Sequence, residues 1–132
     1  MPAPQSFDNA FLQEPMALQM ANETAIITSP EVPSPLPASH VVVRVTCIIN
    51  AGANTASYIF RLRQGAGIGG QIVQTWPTID GAVAANIQTL FPLEVRLDSY
   101  GTDFVQYTLT VTANGATANG TVNMASITVT TF

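Results

Sequence analysis

Residues 58–73 constrain this chain more than any other stretch. Tyr58, Phe60 and Leu62 alternate with Ile59, Arg61 and Arg63, the period of a strand with one face on a core. The alternation breaks at Gly65, Gly67, Gly69 and Gly70, and a strand-like pattern resumes from Gln71 to Trp76. Strand, glycine loop, strand is an antiparallel hairpin, so the chain needs a sheet to pack against. The loop also spells GxGxxG, the form of a dinucleotide-binding turn. That motif needs a following helix to receive the pyrophosphate. Here β-branched, aromatic and polar residues follow, ending at Pro77. The glycines therefore read as hairpin residues that permit positive φ.

The same period runs through most of the chain. In residues 40–50, Val41, Val43, Val45, Cys47 and Ile49 face one way, and Val42, Arg44, Thr46 and Ile48 face the other. Val42 and Ile48 make the second face partly apolar, so it is expected to be covered by another copy of the chain, as a trimer, or by the N-terminal segment. Residues 23–28 form an earlier strand, followed by a proline-rich, stiff connection to Pro37. In residues 91–98, Leu93, Val95 and Leu97 point inward; Glu94, Arg96 and Asp98 point outward, where they are expected to pair across strands with Arg61 and Arg63. Val105, Tyr107, Leu109 and Val111 alternate with polar residues, and a threonine-rich strand closes the chain. Residues 82–90 fit a helical turn or two as well as a strand.

A chain of 132 residues with 47% hydrophobic residues supports one core without staples. Only 9% of residues are charged, and the mean hydropathy is +0.29. The excess apolar surface must be buried by folding or by association. No run approaches the roughly 20 apolar residues of a helical membrane span. The four basic residues, Arg44, Arg61, Arg63 and Arg96, and a net charge of −4 argue against nucleic acid and anionic membranes. The lone Cys47 lies on the inward side of its strand and reads as a buried hydrophobe. His40 has no ligand-spaced partner, and Glu94 and Asp98 are kept ionised by Arg96 between them rather than poised for acid–base work. No catalytic group, metal site or cofactor is expected.

Residues 1–22 differ from the rest. Pro2, Pro4 and Pro15 interrupt regular structure, yet Phe7, Phe11 and Leu12 are large and apolar. Phe7, Phe11 and Leu18 fit one face of a short helix capped by Ser6 or Asp8. The segment reads as an extended N-terminal arm, with Phe7, Phe11 and Leu12 as anchors on a partner, ahead of a sandwich over residues 23–132. On this reading the strands from His40 onward close the sandwich without it.

Seven or eight short strands with turn signals between them give an all-β fold, an antiparallel jelly-roll-like sandwich. YIFRLRQG at residues 58–65, the glycine loop, QIV at 71–73, VQYTLTV at 105–111 and the closing threonine strand resemble small virion proteins of tailed bacteriophages. Within that group the likeness is to head-decoration (cement) proteins with a tumour-necrosis-factor-like jelly roll, and it covers about residues 23–132. The resemblance implies a structural trimer, made in the host cytoplasm, that sits on the surface of a shell of major capsid protein and ties its units together. The alternative is a receptor- or glycan-binding module of a tail fibre or spike, with Trp76, Tyr100 and Asp103 on loops as candidate sugar contacts.

Overall fold

The computed structural model describes residues 6–18, 22–33, 40–50, 56–77, 79–83, 88–98, 104–114 and 120–132. In chain order the strands are β1 (Ser6–Phe11), β2 (Met16–Ala17), β3 (Glu23–Thr28), β4 (Val32–Pro33), β5 (His40–Asn50) and β6 (Ala56–Gln64). They continue as β7 (Ile72–Thr75), β8 (Ile79–Val83), β9 (Gln88–Asp98), β10 (Phe104–Val105), β11 (Tyr107–Asn114) and β12 (Thr121–Thr131). One large sheet runs β1-β12-β5-β9, with β2 also on β12; the other large sheet runs β3-β11-β6-β7, with β8 continuing the β7 edge along β6, and β4 pairs with β10 in a separate two-stranded sheet. Every pairing is antiparallel. Set aside β2, β4, β8 and β10, and the remaining strands follow the order first–eighth–third–sixth in one sheet and second–seventh–fourth–fifth in the other. That is the jelly roll, two Greek keys wrapped into a sandwich.

The core follows the sequence alternation. Val41, Val43, Val45, Cys47 and Ile49 of β5 face Tyr58, Phe60 and Leu62 of β6 and Leu109 and Val111 of β11, all buried. Ala125, Ile127 and Val129 of β12 complete the layer. An aromatic cluster ties the sheets together, with Phe91 of β9 5.1 Å from Phe60 and 5.9 Å, edge-on, from Tyr58. Offset and edge-on contacts suit the ring quadrupoles. Burial pushes the Cys47 thiol up to about 12, because the thiolate would lose its hydration.

On β11 the outward side is buried as well. Thr108 and Thr110 are fully covered although they face away from the core. The glycine loop covers the first: the Thr108 hydroxyl donates to the Gly65 carbonyl at 2.7 Å and accepts from the Gly67 N–H at 3.1 Å. Gly65 and Gly67 have φ of 83° and 77°, where a side chain is strained. At Gly70 a Cβ would lie 1.7 Å from the Gln64 carbonyl oxygen, so only glycine closes the loop. An ion pair covers Thr110. Arg63 grips Glu23 through two N–H donors at 2.7 Å, and the Thr110 hydroxyl donates to the same carboxylate at 2.6 Å. The Arg63 bond, followed by that from Thr110, holds the Glu23 carboxyl down at about 2 against an ordinary 4.5, despite the opposing effect of burial.

Three expectations change. The segment around Phe7 and Phe11 is extended, and it is a strand rather than a helix: Ser6 to Phe11 pair with Thr131 to Ser126 of β12. Its backbone belongs to the sandwich, so the sheet begins at Ser6 and residue 23 marks no break in it. Prolines flank β1 instead of interrupting it, which is why they left the strand possible. The described part of residues 82–90 is strand, in β8 and β9. Glu94 does not pair with Arg61 or Arg63, because β9 and β6 lie in different sheets; its partner is Arg44 of β5, at 2.9 Å.

These observations predict three measurable behaviours. Deleting residues 1–20 removes β1, β2 and the buried Leu18 and leaves one side of β12 unpaired. The truncated chain should unfold at markedly lower denaturant than the intact one, with a loss on the order of 3 kcal/mol or more. Glu23 has its folded pKa depressed from 4.5 to about 2, so its contribution is complete above 4.5 and disappears as pH falls through 2. The unfolding free energy from urea titrations across that window should fall in the parent, by an amount on the order of 1–2 kcal/mol once solvent screening of the partly exposed pair is allowed for. In Glu23→Gln the same window should be flatter. Cys47 should react with a thiol reagent only as the chain unfolds; fast labelling of the native protein would contradict its placement.

Candidate interaction surface

The outer face of the β1-β12-β5-β9 sheet follows directly from its register. Phe7, Thr130, Val42 and Arg96 form one row across the four strands. Asn9, Thr128, Arg44 and Glu94 form the next, and Phe11, Ser126, Thr46 and Pro92 the one after. Met124, Ile48 and Leu90 close the series. Phe7 is 67% exposed, Phe11 59%, Leu90 56% and Met124 48%, while Val42 and Ile48 are half-buried. An apolar corner of Phe11, Met124, Ile48, Leu90 and Pro92 thus stands beside the Arg44–Glu94 pair. Phe7 and Val42 lie on the far side of that pair.

Two groups of candidate residues that are far apart in sequence meet here. Phe7 and Phe11 of the N-terminal segment and Val42 and Ile48 of β5 lie on one surface, because β12 carries both strands in register. Leu12 does not join them. It packs against the core of its own domain, and its N–H donates to the Ala125 carbonyl at 2.9 Å. Leu90, Pro92 and Met124 were not singled out by the sequence. Met124 sits after an irregularity between Val122 and Met124 that moves it to the outer face. Pairing of β9 with β5 puts Leu90 beside Ile48, which no local pattern shows.

The other candidates lie elsewhere. Trp76 is half-buried against the core, and its indole N–H donates to the Glu94 carbonyl at 3.4 Å. Tyr100 and Asp103 fall outside the described residues. His40 stacks on Phe132 with ring centroids 4.6 Å apart. Among the described residues no cluster of His, Cys, Asp and Glu is arranged to hold a metal ion. No helix of the described residues is long and apolar enough to cross a membrane. The surface offers apolar side chains, hydroxyls and one exposed ion pair, the materials of protein–protein contact.

The open edge at β9 carries two blocking devices. Pro92 has no N–H, and unbroken pairing of β9 with β5 turns the main-chain groups of its even-numbered residues to this edge. The Glu94 carbonyl, on the same side, is occupied by Trp76. Both devices disfavour the addition of another strand at this edge.

No family model matches the chain, and no curated protein matches its sequence. Solved structures do match the fold. VP2 of infectious bursal disease virus, in its subviral particle, superimposes with a TM-score of 0.67 at 9% identity over 96% of this chain and 32% of that one. The Gt strain of the same virus gives 0.66 at 11% identity, covering 96% and 33%, and its T13 particle gives 0.65 at 10%, covering 96% and 31%. The chain therefore spans about a third of the length of the proteins it resembles. At such identities the shared property is the fold, the two-sheet jelly roll of a viral capsid protein.

Proposed function

We propose that this chain is a structural protein of a virus particle, and within that class a capsid decoration or cement protein. It is made in the host cytoplasm and binds the outer surface of a shell of major capsid protein. The observation that carries this reading is the apolar corner of Phe11, Met124, Ile48, Leu90 and Pro92, with Phe7 and Val42 beyond the ion pair on the same face. Large side chains left in water on a folded face are costly unless a partner covers them. The similarity of the fold to capsid proteins supports a place in a shell, and the few charges suit burial at a joint between subunits. A decoration protein stabilises the assembled state by binding it and not its separated parts. The homotrimer is part of the same proposal: because the four residues share one face, that face lies at the joint, with Val42 and Ile48 of β5 against neighbouring copies and Phe7 and Phe11 of β1 against the shell.

The test uses empty shells of the major capsid protein from the same virus. Shells bearing this protein should withstand higher temperature than bare ones, and equal melting would remove the decoration role. Phe11→Ser with Leu90→Ser should leave the unfolding midpoint of the free protein within about 0.5 kcal/mol, since both side chains are exposed. Binding to shells should fall at least about tenfold, because each buried side chain of this size contributes roughly 1.5–3 kcal/mol. Sedimentation of the free protein and of Ile48→Lys tests the trimer: the parent should exceed the 13.9 kDa monomer mass and the variant should not.

A further inference from the structure

A second feature lies away from the apolar corner, where the two sheets part at the ends of β6 and β9. A cleft of about 580 Å³ opens there, within the size range of small-molecule sites. Its apolar lining comes from Ile72, Val73, Leu97 and Tyr107. Gln64, Gln71 and Asp98 border it. Gln64 breaks the pattern of its own strand. Tyr58, Phe60 and Leu62 fill the inward positions of β6, and the next inward position is Gln64. At this exposed end of the strand the inward side turns from core to cleft, and the residue there is polar. Gln64 and Gln71 are both exposed, and their backbones hold the mouth in shape through the Gln64 N–H to Gln71 carbonyl bond at 2.9 Å.

We propose that this cleft binds a neutral hexose residue, either free or within a glycan. The side-chain amides of Gln64 and Gln71 each offer both donors and an acceptor, the combination that matches adjacent sugar hydroxyls. The lining of Ile72, Val73, Leu97 and Tyr107 suits the C–H face of a pyranose ring. Among the described residues no basic side chain lines the cleft, and the chain has no lysine, so an anionic ligand meets Asp98 at the rim without a lining counter-charge. Three residues along β9 from Leu97, the Trp76–Glu94 bond occupies the strand edge and limits the site to a compact ligand. A compact, uncharged, polyhydroxylated ligand is what remains. Weak single sites of this kind become effective when many copies are displayed together. The inference goes beyond the decoration role and does not depend on it.

The experiment is a chemical-shift titration of the whole protein with the methyl glycosides of glucose, galactose and mannose, with glucuronate as the anionic comparison. At least one neutral glycoside should give saturable shifts confined to the residues bordering the cleft, and glucuronate should bind more weakly. Gln64→Leu completes the apolar strand pattern, so it should remain folded and lose affinity at least about tenfold. Gln71→Ala should weaken binding in the same direction, while Ile48→Lys should bind as the parent does. No saturable shift with any glycoside, a preference for glucuronate, or undiminished binding by folded Gln64→Leu would each overturn the proposal.

Discussion

Strand β12 is the constraint on which the first sheet depends. Its main chain is paired on both sides, with β5 along one edge and β1 and β2 along the other. Buried N–H and C=O groups must find partners, and for a strand in the middle of a sheet only other strands supply enough of them. The sheet is therefore complete only when segments about 125 residues apart come together, as they do at Ser6 and Thr131. Pairing over such separations closes a long loop before it gains contacts, which favours slow folding. The most N-terminal strand must wait for the most C-terminal one.

The second sheet solves a different problem. Its middle strand β11 has three buried threonines on the outward side, Thr108, Thr110 and Thr112, and of these only the Thr112 hydroxyl has no hydrogen-bond partner among the described residues. Hydroxyls shut away from water need partners. Thr108 finds them in the glycine loop, and Thr110 finds one in the Glu23 carboxylate that Arg63 holds. The hairpin loop folds back over the sheet it belongs to, and an ion pair between β3 and β6 bridges β11 from above. Glu23 and Arg63 are each largely shielded. Removing either would leave the other charge in a poorly hydrated place.

Strand identity was legible wherever period-two alternation was long, as in β5, β6, β11 and β12. The inward residues of those strands are the core, Cys47 included. The N-terminal strand was not legible. Asp8 and Asn9 interrupt the apolar pattern of β1, and an edge strand half exposed to water shows no clean alternation. The interaction surface was legible only in pieces. Val42, Ile48, Phe7 and Phe11 stand out by residue type, but their meeting depends on register with β12. Register is a long-range property that one strand's sequence does not contain. The expected pairing of Glu94 with Arg61 or Arg63 failed for the same reason, since a charge pattern does not say which sheet a strand joins.

The blocked edge at β9 governs behaviour at high concentration. High concentration brings many identical β-rich chains close together. An open eleven-residue edge would then be a template on which strands from other copies could add, one after another, into fibres. Pro92 withholds a donor near the middle of that edge, and Trp76 occupies an acceptor two residues further on. Copies that meet through the sheet's face can form an assembly of definite size, whereas copies that met through this edge would have no geometric reason to stop.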